Sequence, residues 1–155
     1  MAKINTETIS KLRQLLASWT VLYQKTHVFH WDLVGPNFNE LHKFFESLYG
    51  DCVTNSDAVA ERLRQIGERT GLSLTRAVSD SVVEDNNDAT DARSMVSQLI
   101  AALAQITVLQ TEIFNESDEQ GDYVTADLMT QLSKWTEFNS WFLSSWMGEP
   151  NVTHV

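Results

Sequence analysis

The sequence predicts an all-α fold, a four-helix bundle in which a long crossover joins the second and third helices. Apolar residues recur at spacings of three, four and seven over long segments, and alternating β-branched runs are absent. Only two prolines and six glycines occur, and most of them lie between the candidate helices. With 43% hydrophobic residues, a chain of 155 residues can bury the core of one domain, which we expect to span residues 1–155.

The first two helices are predicted over about 5–34 and 37–67. Asn5 is a suitable N-cap for the first helix, and a Gly-Pro pair ends it. Asn37 and Glu40 are three residues apart, which is the spacing of a capping box at the start of the second helix. The short connection between the two predicts an antiparallel helical hairpin.

The last two helices are predicted over about 90–116 and 123–147, and a Gly-Glu-Pro sequence ends the fourth. Residues 70–88 between the two hairpins are polar and irregular, and we expect a short helix among them. Two long hairpins joined by one long connection describe the ferritin-like arrangement among four-helix bundles.

Composition limits the classes of partner. The net charge of −10 argues against a general nucleic-acid-binding protein, because clustered Lys and Arg bind phosphate backbones and the eleven basic residues here are scattered along the sequence. A single cysteine, Cys52, excludes an intrachain disulfide. No segment approaches the roughly 18–20 uninterrupted apolar residues of a membrane span, and the N-terminus lacks a signal-peptide pattern. We therefore expect a cytoplasmic protein without a membrane segment.

Four residues form the candidate site for chemistry. His30 lies at the end of the first helix, and His42, Asp57 and Glu61 lie on the second. Imidazole and carboxylate together suit iron, and the same ligand types suit zinc as a possible substitute. An α-helix rotates by 100° per residue, and this rotation places four residues on a face of the second helix that points away from its apolar stripe. They are His42, Glu46, Asp57 and Glu61.

A single chain cannot bring these ligands to one ion. His42 and Asp57 are fifteen residues apart on one helix, so roughly 22 Å separates them along its axis. If two copies of this helix pack antiparallel about a two-fold axis, His42 of one chain lies opposite Asp57 and Glu61 of the other. Gly50 lies midway on the same face and would allow close approach of the paired helices.

Spacing alone leaves structural explanations open. Asp57 and Glu61 are an i, i+4 acidic pair that solvent could surround or that Arg62 and Arg64 could neutralise. His30 lies on an apolar stripe, where a single histidine can be a packed core residue. Residue spacing therefore does not decide between a metal site and a structural role.

The segment 27–67 resembles the Dps mini-ferritins. It combines H-W, G-P-x-F-x-x-L-H and D-x-x-A-E-R in that order and at fixed separations, and the surrounding helix pattern extends the resemblance over essentially the whole chain. The resemblance implies a ferroxidase site in which His30 and His42 come from one subunit, and Asp57 and Glu61 come from its two-fold mate. This assignment agrees with the distance argument.

The activity implied by the resemblance is oxidation of Fe(II) to Fe(III). Hydrogen peroxide is the family's usual preferred oxidant, and dioxygen is a slower one. The ferric oxide accumulates in the cavity of a hollow homo-oligomer, a dodecamer by resemblance, so that storage and protection against oxidative stress are combined.

Three further residues lie near the expected site. Glu46 stands where the family commonly has an aspartate, four residues after His42, and we expect this longer carboxylate to bind or bridge a second metal ion. His27, one turn before His30, either contacts that second ion or supports the ligands from an interface position. The resemblance places Trp31 beside the iron, where its indole can absorb stray oxidising equivalents, although packing alone could also explain it.

Iron must also cross the shell. Asp118, Asp122 and Asp127 surround the start of the last helix, where acidic residues ordinarily act as N-terminal caps and dipole partners. In the resembling family this segment lines three-fold pores whose acidic rings attract Fe(II), which implies a pore role for the three aspartates. Tyr123 occupies a position that is often acidic, so we expect a narrower or less charged pore.

Two rival functions remain, a DNA-protecting protein that coats DNA and a non-enzymatic helical scaffold. Family members that coat DNA typically use a Lys-rich tail, but only Lys3 precedes the first helix here and the NVTHV tail has neither Lys nor Arg. We therefore do not expect direct DNA binding. A conventional large ferritin is disfavoured because no histidine follows a glutamate at the Glu-x-x-His spacing.

Overall fold

The computed structural model describes residues 4–149, so Lys3 and the tail 151–155 lie outside the described residues. Five helices occur in chain order, and they are α1 (Thr6–Asp32), α2 (Phe38–Gln65), α3 (Leu74–Asp80), α4 (Ala92–Glu119) and α5 (Tyr123–Met147). No strand occurs within the described part of the chain. The predicted all-α bundle with a short helix in its crossover is confirmed.

Two antiparallel hairpins, α1 with α2 and α4 with α5, form the bundle, and α1 also packs against α3 and α4. Most of the side chains buried between them are apolar, and each fully buried Leu or Phe stabilises the fold by roughly 1.5–3 kcal/mol. The largest of these fully buried side chains are Trp19, Phe29, Phe45, Leu12, Leu15, Leu22, Leu33, Leu41, Leu48, Leu63, Met95 and Leu99. The predicted stripes of α1 and α2 therefore face one shared core.

The first helix of the hairpin begins with the predicted N-cap, but the second helix does not begin with the predicted capping box. Asn5 caps α1, since its side-chain oxygen accepts a hydrogen bond from the Thr8 backbone N–H at 2.8 Å. The capping box predicted for Asn37 and Glu40 was wrong, because Asn37 adopts φ −94° and ψ 10° and its side-chain oxygen caps no helix N–H. Its Nδ2 instead donates to Glu40 Oε1 at 2.9 Å.

Helix α1 ends two residues before the predicted position, and α4 extends three residues beyond it. Leu33 has an extended backbone, with φ −61° and ψ 133°, which stops α1 at Asp32. At the other end of the bundle α4 continues to Glu119, and Gly121 at φ 71° turns the chain into α5. Such a positive φ suits glycine, which has no Cβ to clash.

The crossover is held against the first hairpin by hydrogen bonds. Lys25 is buried, and its Nζ donates to the Asn86 carbonyl and to Gln98 Oε1. Burial lowers the pKa of this lysine, while the carboxylates of the crossover oppose the shift. The Val82 backbone N–H donates to Ser18 Oγ at 3.0 Å, which fixes a second point of the crossover to α1.

Within the described residues, one helix has the length and composition of a membrane span. It is α4, whose most apolar 18-residue window has a mean hydropathy of 1.3. Its buried side chains, among them Leu99, Leu103 and Ile106, contribute to the core of the bundle. Core packing accounts for the apolar character of α4, as it does in other helical bundles.

Candidate metal-binding site

The two predicted histidine ligands lie in contact. Their rings stack with centroids 3.7 Å apart and an interplanar angle of 16°. His30 Nδ1 donates to the His42 carbonyl at 2.8 Å, and His42 Nδ1 donates to the His30 carbonyl at 2.9 Å. The connection at residues 33–37 is short enough to bring the end of α1 beside the start of α2.

These reciprocal hydrogen bonds determine which ring nitrogen is free. A carbonyl oxygen can only accept a hydrogen bond, so the Nδ1 of each ring carries the proton. With the proton on Nδ1, it is Nε2 that would supply the lone pair a metal ligand requires. The His30 carbonyl is one of the last carbonyls of α1, which have no partner within the helix, so the bond from His42 also completes the helix end.

The carboxylates of the candidate site are exposed, and no ion pair with them occurs within the described residues. Asp57, Glu61 and Glu46 are all exposed on α2, and none forms an ion pair within residues 4–149. Neutralisation by arginine is not observed, because Arg62 pairs with Asp122 and Arg64 donates to the Glu68 carbonyl. Two alternatives remain for these acids, solvation and contact with another molecule.

One chain does not assemble the predicted ligand set. Within the described residues, no group of three or more His, Cys, Asp and Glu side chains is placed to hold a metal ion. The histidine pair lies near the N-terminus of α2, whereas Asp57 and Glu61 lie near its C-terminus. The predicted ligands thus lie in two groups at opposite ends of one helix, and we call these groups the candidate half-sites.

An aromatic cluster surrounds the histidine pair. His27 lies between Trp31, at 3.9 Å between ring centroids, and Tyr49, at 4.2 Å. Tyr49 also meets the His30 ring edge-on at 5.3 Å. The ring of His27 is thus packed between two aromatic rings, which favours a supporting role over metal binding, whereas Trp31 keeps 59% of its surface exposed.

Tyr49 is a site residue that sequence reasoning missed. It is half-buried, and partial desolvation raises the pKa of its hydroxyl, with the nearby charge of Glu46 adding to the shift. The available signal was its position seven residues after His42, which is about two helical turns along the same face of α2.

The three predicted pore aspartates have different environments. Asp118 and Asp127 are exposed, but Asp122 keeps only 5% of its surface exposed. Asp122 accepts a hydrogen bond from Arg62 Nη2 at 2.7 Å and caps α5 through Thr125. Asp122 therefore acts as a helix cap. Of the three aspartates, Asp118 and Asp127 remain available to line a pore.

The ion pair of Asp122 connects α2 to the turn before α5. Burial raises the pKa of Asp122, but hydrogen bonds from Thr125 and Arg62 outweigh it and hold the pKa below its ordinary value. Arg62 Nε also donates to Thr125 Oγ1 at 2.8 Å, so the guanidinium is paired on two sides. Tyr123, beside this buried pair, is exposed.

Comparison with known proteins extends over nearly the whole bundle. The family described as ferritin-like domain matches residues 9–151. The chain is 30% identical over 136 residues to a DNA protection during starvation protein of Brevibacillus brevis, a match that covers 88% of this chain and 91% of that protein.

Solved structures show the same fold. The crystal structure of Dps from Staphylococcus aureus superposes with a TM-score of 0.89 at 29% identity, covering 94% of this chain and 98% of that one. Dps from Vibrio cholerae, described as a member of a broad superfamily of ferritin-like diiron-carboxylate proteins, superposes with a TM-score of 0.88 at 29% identity, covering 91% of this chain and 89% of that one.

Proposed function

The chain belongs to the Dps proteins, the branch of the ferritin-like family concerned with iron storage and stress protection, and we propose that it is a ferroxidase whose site two subunits share. The observation that carries this proposal is the histidine pair. Two stacked imidazoles with their Nδ1 protons engaged leave both Nε2 atoms for a metal ion.

The remaining ligands come, in this proposal, from a second subunit. Asp57 and Glu61 are exposed and form no ion pair within residues 4–149, as carboxylates that serve a neighbour's iron would do. An antiparallel contact between two α2 helices brings them opposite the histidine pair of the mate and creates two equivalent sites. Glu46, on the same face, supplies a further carboxylate for a second iron ion.

The chemistry of the ligands suits iron oxidation. Carboxylates favour the Fe(III) product over Fe(II), and a mixed set of imidazole and carboxylate leaves coordination positions open for the oxidant. Two Fe(II) ions each lose one electron to one hydrogen peroxide, which takes up two protons and yields two waters. Because both electrons leave in one site, no hydroxyl radical is released, and dioxygen serves as the slower oxidant.

Oxidised iron then moves to storage. We propose that the product collects as ferric oxide inside a hollow homo-oligomer, a dodecamer in the cytoplasm, which Fe(II) enters past Asp118 and Asp127. Exposed carboxylates at a narrow opening raise the local concentration of a divalent cation. Tyr49, edge-on to His30, and Trp31, packed on His27, are suitably placed to take up a stray oxidising equivalent.

The test of this function is a rate comparison. Anaerobic Fe(II) is mixed with the purified protein, a stoichiometric pulse of hydrogen peroxide follows, and Fe(III) absorbance is recorded for the wild type and for His42→Ala, Asp57→Ala. Asp80→Asn, an exposed acid on α3, is the matched control. We expect fast oxidation in the wild type and control and slow oxidation in the double variant, whereas equal slow rates in all three would refute a ferroxidase.

A further inference from the structure

Folding gathers arginines that are separated in the sequence. Four of the six arginines of the chain, Arg13, Arg64, Arg69 and Arg76, line one open cavity of about 960 Å³. They come from α1, from α2 and from the crossover with α3, and Thr70, Gly71 and Leu72 complete the lining. We call this the arginine cavity.

The arginine cavity is strongly positive in a negative protein. Among residues 4–149, no carboxylate lines it, and the one acidic residue that pairs with its arginines is Glu68, which contacts Arg13 Nη2 at 2.7 Å. Four guanidinium groups and one carboxylate leave a local charge of about +3, whereas the whole chain carries −10. Like charges repel, so such a concentration calls for an anion that offsets it.

Neutral backbone groups hold three of the four arginines in place. Arg13 donates through Nε and Nη2 to the Arg69 carbonyl at 3.1 and 2.9 Å, Arg64 Nη1 donates to the Glu68 carbonyl at 2.9 Å, and Arg76 Nη1 donates to the Gly71 carbonyl at 3.2 Å. A carbonyl orients a guanidinium without cancelling its charge. The remaining N–H groups of these forks are thus positioned in advance for an anionic ligand.

Gly71 permits this arrangement. Its φ of +64° lies in the left-handed region, and a Cβ added there would stand 3.2 Å from Arg76 Nη1. Glycine lets the backbone take this conformation and lets the Arg76 guanidinium approach the Gly71 carbonyl. The chain between α2 and α3 therefore shapes the cavity as well as lining it.

We propose that the arginine cavity binds a short inorganic phosphate chain, such as tripolyphosphate. Guanidinium groups bind phosphate oxygens through paired N–H bonds, and several of them together suit a ligand with several phosphoryl groups. The open cavity has room for such a chain. Leu72 is the only large apolar residue of the lining, so little is offered to the base or sugar of a nucleotide.

Isothermal titration of the purified oligomer with tripolyphosphate tests this site. We expect saturable binding by the wild type that weakens as salt rises, and at least about tenfold weaker binding by Arg69→Gln, Arg76→Gln. Arg93→Gln is the control, because Arg93 is exposed and pairs with Glu149 away from the cavity. Absence of saturable binding, or equal weakening in the control, would show that the site does not exist.

Two further measurements keep the result unambiguous. Phenylglyoxal modification of the wild type, mapped by mass spectrometry, should be blocked by tripolyphosphate at Arg69 and Arg76 but not at Arg93, whether or not the variant folds.

Duplex DNA is titrated in parallel. If the double variant loses DNA binding and keeps tripolyphosphate binding, the occupant is nucleic acid and the proposal is wrong. Neither measurement depends on iron, so its result does not bear on the proposed ferroxidase activity.

Discussion

At the residue scale, His30 and His42 each orient the ring of the other. The two Nδ1 bonds close a reciprocal pair across the α1–α2 connection, and they direct the Nδ1 of both rings to a carbonyl. In the proposed site, the Nε2 atoms are therefore positioned before any ion arrives. This is the kind of support, from groups behind the ligands, that raises metal affinity by about 10–100-fold in known sites.

Asp122 carries the clearest stability prediction at this scale. Asp122→Asn keeps a good N-cap but leaves the buried Arg62 guanidinium without its counter-charge, which should cost about 3–5 kcal/mol of the free energy of unfolding. Chemical denaturation at pH 7 measures the loss. Asp127→Asn, an exposed aspartate on the same helix, is the control and should change the free energy by less than about 0.5 kcal/mol.

The pH dependence of this variant follows from the pKa of Asp122. Since the folded pKa lies below the unfolded value of about 3.9, the contribution of this aspartate is complete above that value and disappears as pH falls through the folded pKa. Wild type and Asp122→Asn should therefore converge in acid. If the difference in free energy of unfolding between wild type and Asp122→Asn stayed the same at the lowest pH, the assigned ion pair would be contradicted.

At the element scale, α2 carries both candidate half-sites and the surface that would join them. Gly50 is exposed at the middle of this helix, and a Cβ there would meet nothing within 4 Å in the isolated chain. A glycine inside a helix costs roughly 0.5–1 kcal/mol relative to alanine, so the isolated chain gives no reason for it. Close approach of α2 from a second subunit would explain a glycine at this position.

Gly50→Leu tests this surface. The longer side chain should keep or improve the helix content by circular dichroism, because it fits the isolated chain, but it should reduce assembly because it separates two paired α2 helices. Light scattering after gel filtration measures the mass. Thr111→Leu, at an exposed position of α4 away from this face, should assemble normally. Normal assembly of Gly50→Leu would exclude close pairing at Gly50.

The same scale shows how far the sequence could predict the molecule. Helix type and order were predictable because apolar periodicity sums over many residues. Details that depend on the backbone conformation of one residue could not be predicted. Asn37 is an example, because the sequence has the spacing of a capping box but the φ and ψ of Asn37 are not those of a capping residue. The partner of Asp122 is sixty residues away in α2, so no local pattern could reveal it.

At the scale of the whole molecule, the candidate half-sites are separated, so the proposed function depends on assembly. The histidine pair and its proposed carboxylate partners lie at opposite ends of α2, and no complete metal site forms within residues 4–149 of one chain. The sequence could predict this separation from the helical rise alone. The arginine cavity could not be predicted, because its four arginines converge only after the crossover folds back onto α1 and α2.

Complementation between two inactive variants tests the shared site most directly. His42→Ala and Asp57→Ala should each oxidise Fe(II) slowly when assembled alone. In oligomers formed by co-expressing both, a site that takes its histidine from one chain and its aspartate from another is intact in about one quarter of cases by random pairing. We predict that about this fraction of the wild-type peroxide-driven Fe(II) oxidation returns. Mixed oligomers as slow as either variant alone would contradict a site shared between two subunits.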